Sequence, residues 1–371
     1  MLNVFEVADT LVEHIKSNFL EEIAIIGYYG SYAQGTATER SDLDFFFIPA
    51  SSDGYRHSVQ FIVDNICFDF WPISWERAER MAAFEELNVS IIADCKLLYV
   101  RSDEDRNRFM KLREQIAAAP SQGMAFLNKA EAQLKDACVH LSNMMRVHTE
   151  HKLTQFRHEA REILVYVLNS VSLINRTYFK KGWGKNTEQI REFVHKPDQL
   201  EELMQTIMQS GSSTVVVESC EQLIQNTSRL LTLQKESYVD GPNYSDRMKG
   251  FYEEIKGIFD KVLTACERND YTSAYFWGIG VQAEIARTLY FSEKGYWPIS
   301  TDSELEYMDV YKKLGFPDLA ALLDPSDLQP LFEAVERLDT LLEEHLRQHG
   351  VAINRFRDVA EFKQYLNSFI V

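Results

Sequence analysis

The feature that most constrains this chain is a change of hydrophobic period near residue 117. Before it lie four short apolar runs, at 23–29, 43–48, 66–73 and 96–100. Each is rich in Ile, Val, Phe or Tyr and bounded by Gly, Ser, Asp or Pro, as strands are. Helical spacing is expected at the start, through Phe5, Ala8, Leu11, Val12, Ile15 and Phe19, and again over 75–87. After residue 117 long helical periods take over. The clearest places Leu153, Phe156, Ala160, Ile163, Leu164, Val167 and Val171 on one face. Val215-Val-Val217 stands alone among helical sequence and is read as helix. The expected fold is therefore α+β: an N-terminal domain with a small mixed sheet and helices, followed by an all-α helical-bundle region.

Two breaks divide the chain, Ala117-Ala-Ala-Pro-Ser-Gln-Gly123 and the Gly241-Pro242 step in Tyr238-Val-Asp-Gly-Pro-Asn-Tyr244. They give expected domains at 1–118, 124–238 and 245–371, in keeping with 371 residues at about 100–200 per domain. Tyr178-Phe-Lys-Lys-Gly-Trp183 and Tyr290-Phe-Ser-Glu-Lys-Gly-Tyr-Trp297 echo each other. Both read as helix C-terminal signals, a Lys in the last turn and then Gly.

Charge narrows the function. Asp and Glu number 56 against 39 Lys and Arg, a net charge of −17. That balance argues against extended nucleic-acid binding, which needs a basic face to displace counterions. The five cysteines, Cys67, Cys95, Cys138, Cys220 and Cys266, are scattered, with no Cys-x-x-Cys pair, so neither a disulfide framework nor a structural zinc site is expected. The first residues carry acids rather than a basic leader, and no apolar run approaches the roughly 20 residues that span a bilayer. A cytoplasmic protein with reduced thiols is expected.

One stretch carries chemistry: Ile25-Ile-Gly-Tyr-Tyr-Gly-Ser-Tyr-Ala-Gln-Gly-Thr-Ala-Thr-Glu-Arg-Ser-Asp-Leu-Asp-Phe-Phe-Phe-Ile48. A strand ends at Tyr29, and Gly30-Ser31 turns into a short helix through Ala33. Glycine allows close backbone approach, and free N–H groups at a helix start favour anions, so this turn suits a phosphate. Asp42 and Asp44 then open the next strand. Residues two apart on a strand share a face, and adjacent carboxylates repel unless a cation or water intervenes. The all-oxygen donor set suggests Mg²⁺. Asp69, a lone acid in the apolar run Ile66-Cys-Phe-Asp-Phe-Trp-Pro-Ile73, is the third candidate, with Asp53 and Asp64 as alternatives. Three carboxylates on neighbouring strands suit two Mg²⁺ ions, one activating an attacking oxygen and one steadying a pyrophosphate leaving group.

The pattern Gly30-Ser31-x-Ala33-x-Gly35-x(5)-Ser41-Asp42-Leu43-Asp44, with a later strand Asp, resembles the signature of the nucleotidyltransferases of the DNA polymerase beta superfamily. It is similar to the branch of aminoglycoside nucleotidyltransferases and of the small nucleotidyltransferases of toxin–antitoxin pairs. The resemblance covers about residues 20–100 and implies a following helical bundle, with the active cleft between the two. Gln34 stands where many relatives carry Arg, while Arg40 lies nearby in sequence.

A base is also needed. Asp69 is one candidate; the resemblance implies another, a carboxylate from the helical part. In His158-Glu-Ala-Arg-Glu162 the helical wheel puts Glu159 at the edge of the apolar stripe. Lys180, Lys181 and Lys185 form a basic cluster for a triphosphate, beside Trp183 for stacking. Arg146-x(4)-His151 has the spacing of some ribonuclease toxins but is a short pattern.

The expected activity is metal-dependent transfer of a nucleoside monophosphate, AMP from ATP, to a hydroxyl of a small cationic acceptor with release of pyrophosphate. The residues expected to serve are Asp42, Asp44, Asp69 and Glu159 in catalysis, and Gly30, Ser31, Arg40, Ser41 and Lys181 at the nucleotide. The alternatives are a non-catalytic, antitoxin-like nucleotide-binding regulator and an AMP transferase acting on a protein. Neither membrane nor extended nucleic acid is an expected partner, and oligomeric state is not legible.

Overall fold

The structure, a computed structural model, describes residues 2–146, 153–238, 241–299 and 305–367. The Arg146-x(4)-His151 pattern lies largely outside the described residues, as does part of the segment before Gly241. The chain divides into two compact units, Met1–Gln234 and Lys235–Val371.

The first unit opens with helix α1 (Val4–Asn18), whose N-terminus is closed by the Asn3 side chain accepting from the Phe5 N–H. Strand β1 (Ile23–Tyr29) leads directly into the single-turn helix α2 (Gly30–Ala33). Strands β2 (Leu43–Pro49), β3 (Val59–Val63), β4 (Ile66–Pro72) and β5 (Lys96–Val100) complete one sheet in the order β3-β4-β2-β1-β5. All its pairs are antiparallel except β2 with β4. Strand β3 is an addition to the sequence reading. It is half exposed, at the sheet edge, and its polar-apolar alternation is weak. The signal was the turn after it, Asp64-Asn65, both with positive φ (48° and 62°), a two-residue hairpin loop matched to strand twist.

Helices α3 (Trp75–Ala82), α4 (Val89–Asp94) and α5 (Asp103–Ala118) follow, with α4 and α5 packed against β1. The helix expected over 75–87 stops at Ala82, because Phe84 takes a left-handed backbone, φ 59°. Next come α6 (Gly123–Met145) and α7 (Leu153–Ile174), packed along their length, then α8 (Thr187–Glu192), α9 (Leu200–Gln209) and α10 (Ser213–Glu236). Their core joins Leu134, Phe156, Ile163 and Val167 to Ile207, Val216 and Leu223. Val215-Val-Val217 is helical, inside α10. The bundle is fastened to the sheet domain: Phe84 packs on Phe126 and Tyr178, and the Tyr178 hydroxyl donates to Asp94 Oδ1 at 3.1 Å.

The second unit contains α11 (Tyr244–Arg247), α12 (Phe251–Glu267), α13 (Tyr271–Lys294), α14 (Glu306–Lys313), α15 (Gln329–Gln348) and α16 (Val359–Asn367). Its core is built by Ile255, Phe259, Val281, Ile285, Leu331, Leu338 and Leu342. Of the two echoing segments, only the second closes a helix: α13 ends at Lys294 and Gly295 caps it at φ 82°. The first does not, since α7 has already stopped at Ile174 and 177–186 runs as irregular chain. Among the described residues no helix is long and apolar enough to cross a membrane.

Candidate active site

Strand alternation builds the site. Asp44 pairs in register with Tyr29 across β1 and with Asp69 across β4, so the three side chains share one face of the sheet at one end of the strands. Asp42 sits just ahead of β2, outside the ladder, a small correction to the expectation that both acids open the strand. Asp53 lies in a helical turn and Asp64 in the β3–β4 loop, neither in register with Asp44.

Electrostatics reports the convergence. The Asp44 carboxyl is pushed up to about 6, first by burial and then by the charges of Asp42 and Asp69. The Tyr29 phenol is pushed up to about 12, by burial and then chiefly by Asp44, with smaller contributions from Asp69 and Asp42. The Tyr29 oxygen accepts from Trp71 Nε1 at 3.1 Å, and Gln60 Nε2 donates to Asp69 Oδ1 at 2.8 Å.

Gly30 begins α2 with φ +73°, and a Cβ there would collide with Asp44 Oδ2. The glycine is thus required by backbone conformation and by the acid beside it. The first turn of α2 has no side-chain cap, which leaves its N–H groups without a side-chain acceptor. The Thr36 hydroxyl, a few residues on, is buried without a protein partner.

Other expected residues have different surroundings. Ser41 closes its own turn, its Oγ accepting from the Thr38 N–H at 2.8 Å. Arg40 is exposed on the same turn. Glu159 lies between α6 and α7, its Oε2 2.7 Å from His140 Nδ1 and 3.4 Å from Asn143 Nδ2. Lys181 lies 3.7 Å from Glu188, and with Thr177, Lys180, Lys185 and Gln189 it lines a cleft of about 370 Å³. Trp183 packs on Phe179 at 5.4 Å. Gln34 ties this segment to the sheet domain, its side-chain amide donating to the Lys180 carbonyl. In the sequence Gln34 stands out only as a departure from relatives; a glutamine just after a glycine-rich turn carries no signal of a contact 146 residues away.

Asp42, Asp44 and Asp69 fit a hard divalent cation by donor chemistry, and the charges of Asp42 and Asp69, which add to burial in raising Asp44, are what a cation would offset. Among the described residues, however, no three His, Cys, Asp or Glu side chains are already gathered as a ligand group.

Comparison with known families agrees with this layout. Residues 8–93 match the nucleotidyltransferase domain and residues 106–237 match the KNTase C-terminal domain. No curated protein matches the chain. A solved nucleotidyltransferase-like protein from Exiguobacterium sibiricum is similar at 9% identity and a TM-score of 0.37, over 65% of this chain and 84% of that one. The first match takes in the Gly30-Ser31 turn with all three acids, and the second takes in helices α6 to α10; the chain carries a nucleotidyltransferase domain followed by a KNTase C-terminal domain.

Proposed function

We propose that the protein moves AMP from ATP onto a hydroxyl of a small cationic acceptor, with two Mg²⁺ ions bound by Asp42, Asp44 and Asp69. The observation that carries the reading is the in-register pairing of Asp44 with Asp69 directly beside the Gly30-Ser31 turn. The uncapped N–H groups of α2 and the Ser31 hydroxyl hold phosphate oxygens. Lys181 and its neighbours supply the cations that 177–186 places beyond the turn, held there by Gln34. Arg40, exposed beside Ser41, is free to reach an outer phosphate.

In the transfer, the acceptor oxygen bonds to the α-phosphorus, the bond from that phosphorus to the α,β-bridging oxygen breaks, and pyrophosphate departs. The ions, when bound, make the acceptor hydroxyl more acidic and offset the charge growing on pyrophosphate. Asp69 accepts the hydroxyl proton through Oδ2, since Gln60 engages Oδ1. Glu159 is the alternative base, but it is engaged by His140 and Asn143.

A net charge of −17 favours a cationic acceptor such as an amino sugar, and disfavours extended nucleic acid. The KNTase C-terminal match supports the same acceptor class. Five free cysteines fit a reducing cytoplasm. The test is incubation with α-labelled ATP, Mg²⁺ and a panel of amino sugars, reading labelled acceptor and pyrophosphate. Labelled acceptor supports the reading. Absence of pyrophosphate release with every acceptor and every nucleotide, from protein that binds Mg-ATP, points instead to a non-catalytic nucleotide-binding regulator.

A further inference from the structure

We propose that Tyr29 is a nucleotide-binding residue, donating its hydroxyl hydrogen to a phosphate oxygen of the bound nucleoside triphosphate, with Trp71 as the positioning residue that sets its direction. This rests on the reading of the site given above. An indole N–H only donates, so in the 3.1 Å Trp71–Tyr29 pair the phenol oxygen is the acceptor and its own hydrogen is turned elsewhere. Among the described residues that hydrogen has no acceptor.

The position is specific. Tyr29 ends β1, directly before Gly30, and pairs with Asp44, while its hydroxyl meets Trp71 on β4, the strand that carries Asp69 on the same face. A triphosphate held at the Gly30-Ser31 turn therefore has this donor on the neighbouring residue. A phenol of ordinary acidity, with a pKa of about 10, keeps its proton at neutral pH, so the group remains a donor. Trp71 is itself held: its ring meets Tyr29 edge-on at 6.3 Å, and the Arg77 guanidinium lies 5.2 Å from it, anchored to Glu86 at 2.9 Å.

The test uses the full chain and four variants of its ligand: methylene-bridged α,β analogues of ATP, GTP, CTP and UTP with Mg²⁺, by calorimetry. Tyr29→Phe, which keeps the ring, should bind the preferred analogue about 10- to 100-fold more weakly, the range for a lost hydrogen bond to a charged acceptor. Trp71→Phe should weaken binding by a smaller factor, and the double variant should bind no more weakly than Tyr29→Phe alone. Mn²⁺ binding without nucleotide, followed by electron paramagnetic resonance, should be unchanged in all three. Equal nucleotide affinity in parent and Tyr29→Phe overturns the inference while leaving the site reading intact, and so does a parallel loss of Mn²⁺ binding, which marks structural damage. Full additivity of the two substitutions overturns the positioning role of Trp71. A parent that binds none of the analogues overturns the site reading itself.

Discussion

The two faces of the sheet are made from the same strands and differ by one residue of offset. On one face Leu43, Phe45, Phe47, Phe68 and Phe70 pack under α1, none more than 1% exposed. On the other, Tyr29, Asp44, Asp69 and Trp71 open to solvent at one end, with Phe46 and Ile48 buried behind them. The phenylalanine face is what holds the acids in register. A one-residue slip of β2 or β4 would bury a carboxylate and expose an aromatic row, which the core forbids. The first way to break this comparison is to weaken the core alone. Phe70→Ala removes a ring that stacks on Phe47 at 4.4 Å and should cost about 3–5 kcal/mol in urea unfolding. Activity per folded molecule should hold well below the new midpoint. A cost under about 1 kcal/mol would mean that the face is not a packed core.

The second way is to remove charge from the open face. Asp44→Asn should lower turnover by at least about 10²-fold, the scale on which lost electrostatic stabilisation is felt, and Asp69→Asn by about 10²–10⁴-fold if it is the base. Stability should move oppositely. A carboxyl raised from 3.8 to about 6 on folding binds more protons folded than unfolded between those values, so metal-free stability falls as pH rises through that window. Asp44→Asn should flatten the decline between about pH 4 and pH 6 and leave metal-free melting at pH 7 equal to or above the parent's. An unchanged pH slope in melting curves would remove Asp44 as its source.

Gly30→Ala sits between the two faces in effect. It forces a left-handed backbone on an alanine, about 1 kcal/mol, and drives a methyl into Asp44 Oδ2. Nucleotide affinity and metal affinity should therefore fall together. A loss confined to nucleotide would show that Asp44 swings clear and that the turn acts alone. Gly30→Val, the harsher change, cannot separate these effects, because both β-branching and the collision contribute.

Legibility followed locality. Strands β1 and β5 have the bounds their apolar runs suggested, and α7 buries the periodic face drawn from 153–171. The Gly30–Ala33 turn was readable because glycine and a small residue at short range have few other uses. Strand β3 was missed because an edge strand needs little hydrophobic patterning. The bundle expected as a domain over 124–238 lies with the sheet in one compact unit. What joins them, Gln34 to Lys180, Tyr178 to Asp94 and Phe84 to Phe126, depends on pairs far apart in sequence that no local period encodes.

The smallest expected effect sharpens the assignment of the base. Glu159 is expected from the helical wheel to face a cleft, and its side chain is only 12% exposed between α6 and α7. There it is bound by His140 at 2.7 Å, and the His140 ring stacks on Tyr166 at 5.5 Å. An acid already holding a neighbouring imidazole has less freedom to take a substrate proton than Asp69, which is exposed and has one oxygen held by Gln60. Glu159→Gln keeps shape and hydrogen bonding while removing the charge. Turnover should stay within about threefold of the parent, far short of the factor of about 10²–10⁴ that follows loss of a general base. Stability should fall by about 1 kcal/mol or less, the ordinary net value of one hydrogen bond. A loss of two orders of magnitude in turnover at unchanged nucleotide affinity would move the base from the sheet to the bundle and leave Asp69 as a metal ligand only.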